Sequence, residues 1–182
     1  MDPSIVSINV GQPKAVKYRD RIVETSIFKT PVTGSIRLRT LGLEGDCQVD
    51  LTVHGGPAKA VYAYPSEHYG YWKEQLSLNL PYGMFGENLT TQGLIESLVR
   101  RGDRYRVGSA ELIITQPRFP CYKLGIKFGM MEMVKRFQES GRSGFYLAVA
   151  KEGEIEIGDS LTLISRDIHN PTVAEIFMSD SN

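Results

Sequence analysis

"SAELIITQPRFPCYKLG", residues 109–125, carries the period on which the fold reading turns. Ala110, Leu112 and Ile114 fall on one side of an extended chain, the alternation of a strand half buried against a core. The pattern then stops. Pro117 and Pro120 bracket Arg118 and Phe119, and Cys121 follows directly, one of only two cysteines. Each proline fixes its own φ and biases the residue before it toward extended backbone, so the chain itself sets the direction of the Cys121 thiol. Arg118 and Lys123 stand close by, and cations there favour a thiolate and attract an anion. An arbitrary cysteine is a small buried hydrophobe; these neighbours turn Cys121 toward a ligand.

The same alternation recurs along the chain. "SIVSINV" puts Val6, Ile8 and Val10 on one face, and "DRIVETSIF" and "GSIRLRTLGL" come next with similar spacing. "EIEIGDSLTLIS" pairs Ile155 with Ile157 and Leu161 with Leu163. Gly-Asp dipeptides at 45–46, 102–103 and 158–159 read as turns, with glycine supplying the left-handed backbone and Asp bonding nearby amides. Glycine numbers 18, against about 13 expected from average usage, which suits a turn-rich, β-rich chain.

Two segments change period. Tyr69, Trp72 and Leu76 recur at helical spacing behind Ser66 as N-cap, with Glu67 in the first turn. Phe128, Met131, Val134 and Phe137 predict a second helix, closed by Gly141. Many short strands with inserted helices imply a mainly β fold: a closed or partly closed, mostly antiparallel barrel carrying two or three short helices. The tail "RDIHNPTVAEIFMSDSN" ends polar and is expected to fray.

Composition narrows the function. The 182 residues carry 21 basic and 21 acidic side chains, so no global charge draws the protein to nucleic acid or an anionic membrane. No apolar run approaches the ~20 residues of a membrane span, and "MDPSIVSINV" lacks the parts of a signal peptide. Two cysteines make no disulfide framework, and a reducing, cytoplasmic setting is expected.

Three further stretches bear on chemistry. Cys47, in "GDCQVDLTVHG", lies on an alternating pattern without cationic company and reads as core. His54 precedes Gly55 and Gly56, whose amides can approach a ligand closely, and Lys59 adds charge; a plain strand-ending turn accounts for them equally well. Cys121 with His54 would also satisfy a hydrolytic pair, though any cysteine and histidine would. In "YGMFGENLTTQG" Asn88 offers donors and acceptors for a heterocycle edge, or for its own loop. Zinc is unsupported, since His54, His68, His169 and the two cysteines show no paired ligand spacing. The glycine runs match neither a P-loop nor a dinucleotide fingerprint.

Four blocks in one order, "GLEGDCQVDLTVHGGPAKAVYAYPSEHYGYW", "GMFGENLTTQGL", "GDRYRVGSAELIITQPRFPCYKL" and "GFYLAVAKEGEIEIGDSLTLISR", resemble the MOSC domain, named for the C-terminus of molybdenum cofactor sulfurases. The likeness covers nearly all of residues 5–166 and is to the bacterial subgroup of hydroxylaminopurine-resistance proteins. It implies a pyruvate-kinase-barrel-like domain over residues 1–166. Residues 167–182 form a C-terminal tail, in which "NPTVAEIF" resembles the start of a helical extension. The resemblance implies molybdenum cofactor with Cys121 as metal ligand; beside Cys121 at the reacting centre, the chemistry of His54 and Asn88 suits them to orient the pterin or the substrate N–OH. Gly55, Gly56, Lys59, Asn88, Arg118 and Lys123 would then hold the cofactor. The implied reaction is reduction of N-hydroxylated bases to amines by oxygen-atom transfer, with electrons from a separate flavin-dependent reductase. Two other readings stand beside it: a carrier of persulfide or intact cofactor on Cys121, and a binding barrel without catalysis. No stretch of the chain resembles the pyridoxal-phosphate domain of the sulfurases.

Overall fold

Ala110, Leu112 and Ile114 are all fully buried, and the strand they define is the spine of a large curled sheet. The computed structural model describes residues 2–49 and 55–180. In chain order it contains β1 (Ser4–Val10), β2 (Lys14–Tyr18), β3 (Arg21–Thr25), β4 (Thr30–Val32), β5 (Ile36–Arg39) and β6 (Gly42–Leu43). A 3-10 turn, Pro57–Lys59, leads into β7 (Val61–Pro65), α1 (Glu67–Leu76), β8 (Leu89–Gln92), β9 (Arg104–Val107) and β10 (Ala110–Pro117). Then come α2 (Tyr122–Phe128), α3 (Met133–Ser140), β11 (Phe145–Lys151), β12 (Gly153–Ile155), β13 (Thr162–Ser165) and α4 (Val173–Ser179).

Eight strands pair in the order β13-β9-β10-β11-β7-β8-β1-β4, antiparallel throughout except for β7 beside β8. The sheet curls until the chain before β13 meets β1: Ile5 N donates to Asp159 O at 3.0 Å, and Gly158 N to Ile5 O at 2.9 Å. These bonds make the partly closed barrel that the alternation predicts. A small sheet, β12-β5-β6, is tied to the β9–β10 hairpin, with Ser109 N donating to Glu154 O at 3.1 Å. Among the described residues the β2–β3 hairpin pairs only with itself.

Two apolar cores share β7. Val61 and Ala63 face the barrel interior among Ile5, Leu89, Leu112 and Leu147. Tyr62 and Tyr64 face the other way, into an aromatic cluster with Trp72, Phe85 and Phe137 that seats α1, α2 and α3. All five residues of β7 are therefore buried. Trp72 Nε1 donates to the Tyr64 hydroxyl at 2.7 Å, which satisfies the indole inside the cluster.

Several expectations are corrected. In β1 the buried apolar residues are Ile5 and Ile8, while Val6 and Val10 are half buried. The register against β8 slips between Ile5 and Ser7, and such a bulge reverses the inward parity of the residues after it. Ile157 and Leu163 are exposed, because Ile157 lies past the end of β12 and Leu163 lies on the sheet's edge strand. The predicted second helix is two. Gly129, at φ 64°, ends α2 in a left-handed cap, so Met131 points to solvent and Met133 joins Phe137 in the core instead. The tail does not fray over 173–179. It forms α4, the fourth helix where two or three were expected, with Thr172 and Glu175 in a reciprocal capping box and Val173 and Phe177 buried. No helix among the described residues is long and apolar enough to cross a membrane.

Candidate functional site

β10 ends at Pro117, and three residues of irregular chain carry it to Cys121, which caps α2 in an extended conformation (φ −129°, ψ 173°). This connection forms one wall of an open cleft. Its interior holds about 100 Å³, or about 690 Å³ with the mouth included. The opposite walls come from the β3–β4 loop, residues 46–49 and the turn entering β8; Tyr62 and Tyr146 line it from β7 and β11. Cys121, Arg118, Lys123, Lys59 and Asn88, drawn from three separate stretches of sequence, all reach it. Gly55 and Gly56 do not line it among the described residues. Gly56 starts the 3-10 turn that presents Lys59, its amide donating to Gln48 Oε1 at 2.9 Å. His54 lies outside the described residues.

Arg118 decides the electrostatics. It is only 6 % exposed, and its guanidinium lies over the rings of Tyr62 and Phe137 at 5.0 and 5.2 Å. Its Nη1 is buried and has no hydrogen-bond partner among the described residues. Burial works against the charge, but the Tyr62 and Tyr146 hydroxyls and the Cys121 thiol outweigh it, and the Arg118 pKa rises above the usual arginine value. Burial also raises both phenols, Arg118 pulling the other way, so Tyr62 and Tyr146 stay neutral hydroxyls. Gly144 makes this placement possible. Its carbonyl accepts from Arg118 N at 3.4 Å, its φ is +62°, and a Cβ there would stand 2.5 Å from Ala63 O.

A second polar network crosses the cleft floor. Lys29 pairs with Asp46, and both side chains are almost completely enclosed. Asp46 Oδ1 also accepts from Gly11 N at 2.7 Å, while Oδ2 accepts from Asn88 Nδ2 at 2.8 Å. Asn88 Oδ1 in turn accepts from Tyr62 N at 3.1 Å, so much of its amide serves the protein's own backbone and Asp46. Burial lowers the Lys29 pKa against the opposing pull of Asp46. Behind the floor, buried Glu87 accepts from Tyr69, from Gly83 N at 2.8 Å and from Phe85 N at 3.1 Å, which shapes the turn before Asn88.

The sequence reading missed Lys29, Asp46, Tyr62 and Tyr146, and it placed Cys47 in the core. Cys47 is half buried and lines the cleft, so that placement is corrected. Neither cysteine forms a disulfide. Among the described residues no three His, Cys, Asp or Glu side chains gather as a metal cage, so a metal here would need most of its ligands from elsewhere.

A barrel of this topology with a thiol and cations at one rim is matched by the MOSC domain profile over residues 50–162, and the chain belongs to that family. It is 46% identical to YflK of Bacillus subtilis over 163 residues, 90% of this chain and 74% of that one. It is 42% identical to YiiM of Escherichia coli over 155 residues, 83% and 68% of the two chains. The crystal structure of YiiM from Geobacillus stearothermophilus superposes with a TM-score of 0.82 at 38% identity, covering 98% of this chain and 84% of that one. A Gibberella moniliformis protein named a reductase is 32% identical over 151 residues, 79% of this chain but 26% of its own length.

Proposed function

We propose that this protein binds molybdenum cofactor at Cys121 and reduces N-hydroxylated bases or related N-oxygenated compounds to amines, with electrons from a separate flavin-dependent reductase. One observation carries the reading: a half-buried thiol shares an open cleft with a buried guanidinium whose Nη1 has no partner among the described residues. A buried charged donor left unsatisfied is costly, and a bound anion removes that cost. The donor set suits the cofactor. A thiolate is a soft ligand for a metal already held by dithiolene sulfurs, and Arg118, Lys59 and Lys123 supply cations for the pterin phosphate. When bound, the cofactor supplies a two-electron metal centre for removing oxygen from an N–OH group.

This chain's residues do the rest. Cys121 would hold the metal from a backbone that two prolines stiffen. Tyr146, as a neutral phenol, can donate to a ligand oxygen, whereas the Tyr62 hydroxyl already donates to Ser143 O at 2.8 Å. Thr25, Ser26 and Ile27 form the rim that faces them. The kinship with a protein named a reductase supports redox chemistry.

The test is Cys121→Ala in protein made in a cofactor-competent host. We expect molybdenum and pterin content to fall to background, turnover of hydroxylaminopurine to vanish and the melting curve to persist. An alanine variant with parental turnover defeats the proposal. The second thiol, Cys47, in the same cleft favours one other reading, a persulfide carrier. Mass spectrometry under mild conditions separates the two: added sulfur on Cys121 marks the carrier, and bound pterin with molybdenum marks the enzyme.

A further inference from the structure

Reduction of an N–OH group consumes protons as well as electrons, and the cleft must deliver them where the oxygen leaves. In the balanced reaction the N–O bond breaks and the flavoprotein's two electrons enter. One proton with the departing hydroxyl makes water, and a second proton on nitrogen completes the amine. Most cleft groups are poor donors for the first proton. Asp46 accepts from Lys29, Gly11 N and Asn88 Nδ2, so its oxygens are already engaged as acceptors. The Tyr62 and Tyr146 phenols are raised by burial and keep their protons. Arg118 does not deprotonate.

Lys29 differs. It lines the cleft, and its ammonium has Asp46 as its one hydrogen-bond acceptor among the described residues. We propose that Lys29 is the acid that protonates the departing oxygen, with Asp46 as the positioning residue that aims it and Asn88 and Gly11 fixing Asp46. The inference rests on the N–OH reductase reading of this cleft. Asn88 then acts through Asp46 rather than on the substrate.

The surroundings tune this amine toward transfer. Burial pulls its pKa down, and Asp46, Glu87 and Cys47 pull it back up. Lys127 of α2 and Lys14 both lie over the ring of neighbouring Phe28, at 5.2 and 4.8 Å, and Lys127 is itself lowered by burial and by the like charges of Lys29 and Lys14. A general acid works best when its pKa lies near the working pH, and such a donor contributes about 100- to 10,000-fold to rate.

The test compares wild-type protein with Lys29→Arg and Lys29→Met, each loaded with cofactor. Lys29→Arg keeps the charge on Asp46 but gives up no proton; Lys29→Met removes both. We expect kcat to fall about 100- to 10,000-fold in both, with molybdenum content and substrate Kd unchanged. The wild-type kcat should decline as pH rises through the lowered Lys29 pKa, and that limb should be missing from Lys29→Arg. Independently of turnover, NMR of protein carrying [13Cε]-lysine should show one resonance, absent from Lys29→Arg, that titrates below the ordinary lysine range. Should Lys29→Met fail to fold, the arginine variant and the NMR titration still decide. A Lys29→Arg enzyme with parental kcat and an intact alkaline limb overturns this inference alone, as does a Lys29 resonance that titrates normally. A loaded wild-type protein without N–OH reduction overturns the proposed function, and this inference with it.

Discussion

Replacing Arg118 by methionine tests whether the cleft is built for an anion at the expense of the fold. In the protein alone the guanidinium makes two cation–π contacts, at 5.0 Å to Tyr62 and 5.2 Å to Phe137. Desolvated contacts of this kind contribute up to about 2 kcal/mol each. Against them stands the unpartnered, buried Nη1, worth about 1–3 kcal/mol of lost solvation. Methionine keeps much of the volume and removes both effects, so the net loss should not exceed about 3 kcal/mol. That corresponds to no more than about 12 °C in Tm for a chain of this size. Anion binding should respond differently. One charge-assisted hydrogen bond is worth about 1.5–3 kcal/mol, hence a loss of about 10- to 150-fold in affinity. Calorimetry with inorganic phosphate, beside urea melts with and without phosphate, measures both quantities on one preparation. A variant that unfolds outright, or one that binds phosphate as the parent does, would show that Arg118 serves packing and not an anion.

Two other perturbations probe the scaffold. Gly144→Ala combines a positive φ with a Cβ 2.5 Å from Ala63 O, and the left-handed penalty with the clash should cost about 2–5 kcal/mol in urea melts; a loss below about 1 kcal/mol would refute the packing assigned to it. Lys127 is lowered to about 8, chiefly by burial. A base with a depressed folded pKa penalises the fold while charged, so stability should rise as pH climbs from about 8 toward the unfolded lysine value near ~10.4. Lys127→Met should be more stable than the parent at pH 7 and lack that rise; a flat parental profile over this range rules out the assignment.

The sequence made the strands visible wherever one face is dry and the other wet. β10 is the clear case. Alternation failed at β1, where a bulge absorbs a residue, and at β13, where neither face is covered. α2 was invisible for another reason. "YKLGIKF" is too short to nucleate alone and holds Gly125 in its interior. Gly125 lies under Met131, with 2.7 Å between Met131 Sδ and the place a Cβ would take, a fact of tertiary packing. The site divides along the same line. Arg118, Cys121 and Lys123 are local in sequence, and their residue types gave them away. Lys29 and Asp46 sit 17 residues apart on irregular chain, where no period links them, and only the folded barrel shows that they meet.

Phe119, on the cleft rim one residue past Arg118, stacks on Phe177 of α4 with ring centroids 5.1 Å apart. The last helix is thus a brace for the segment that bears the thiol. Cutting the chain before Val173 would remove that prop and let the Arg118–Cys121 stretch wander. Whatever a related protein attaches beyond such a helix gains a mechanical handle on the thiol-bearing end of the barrel.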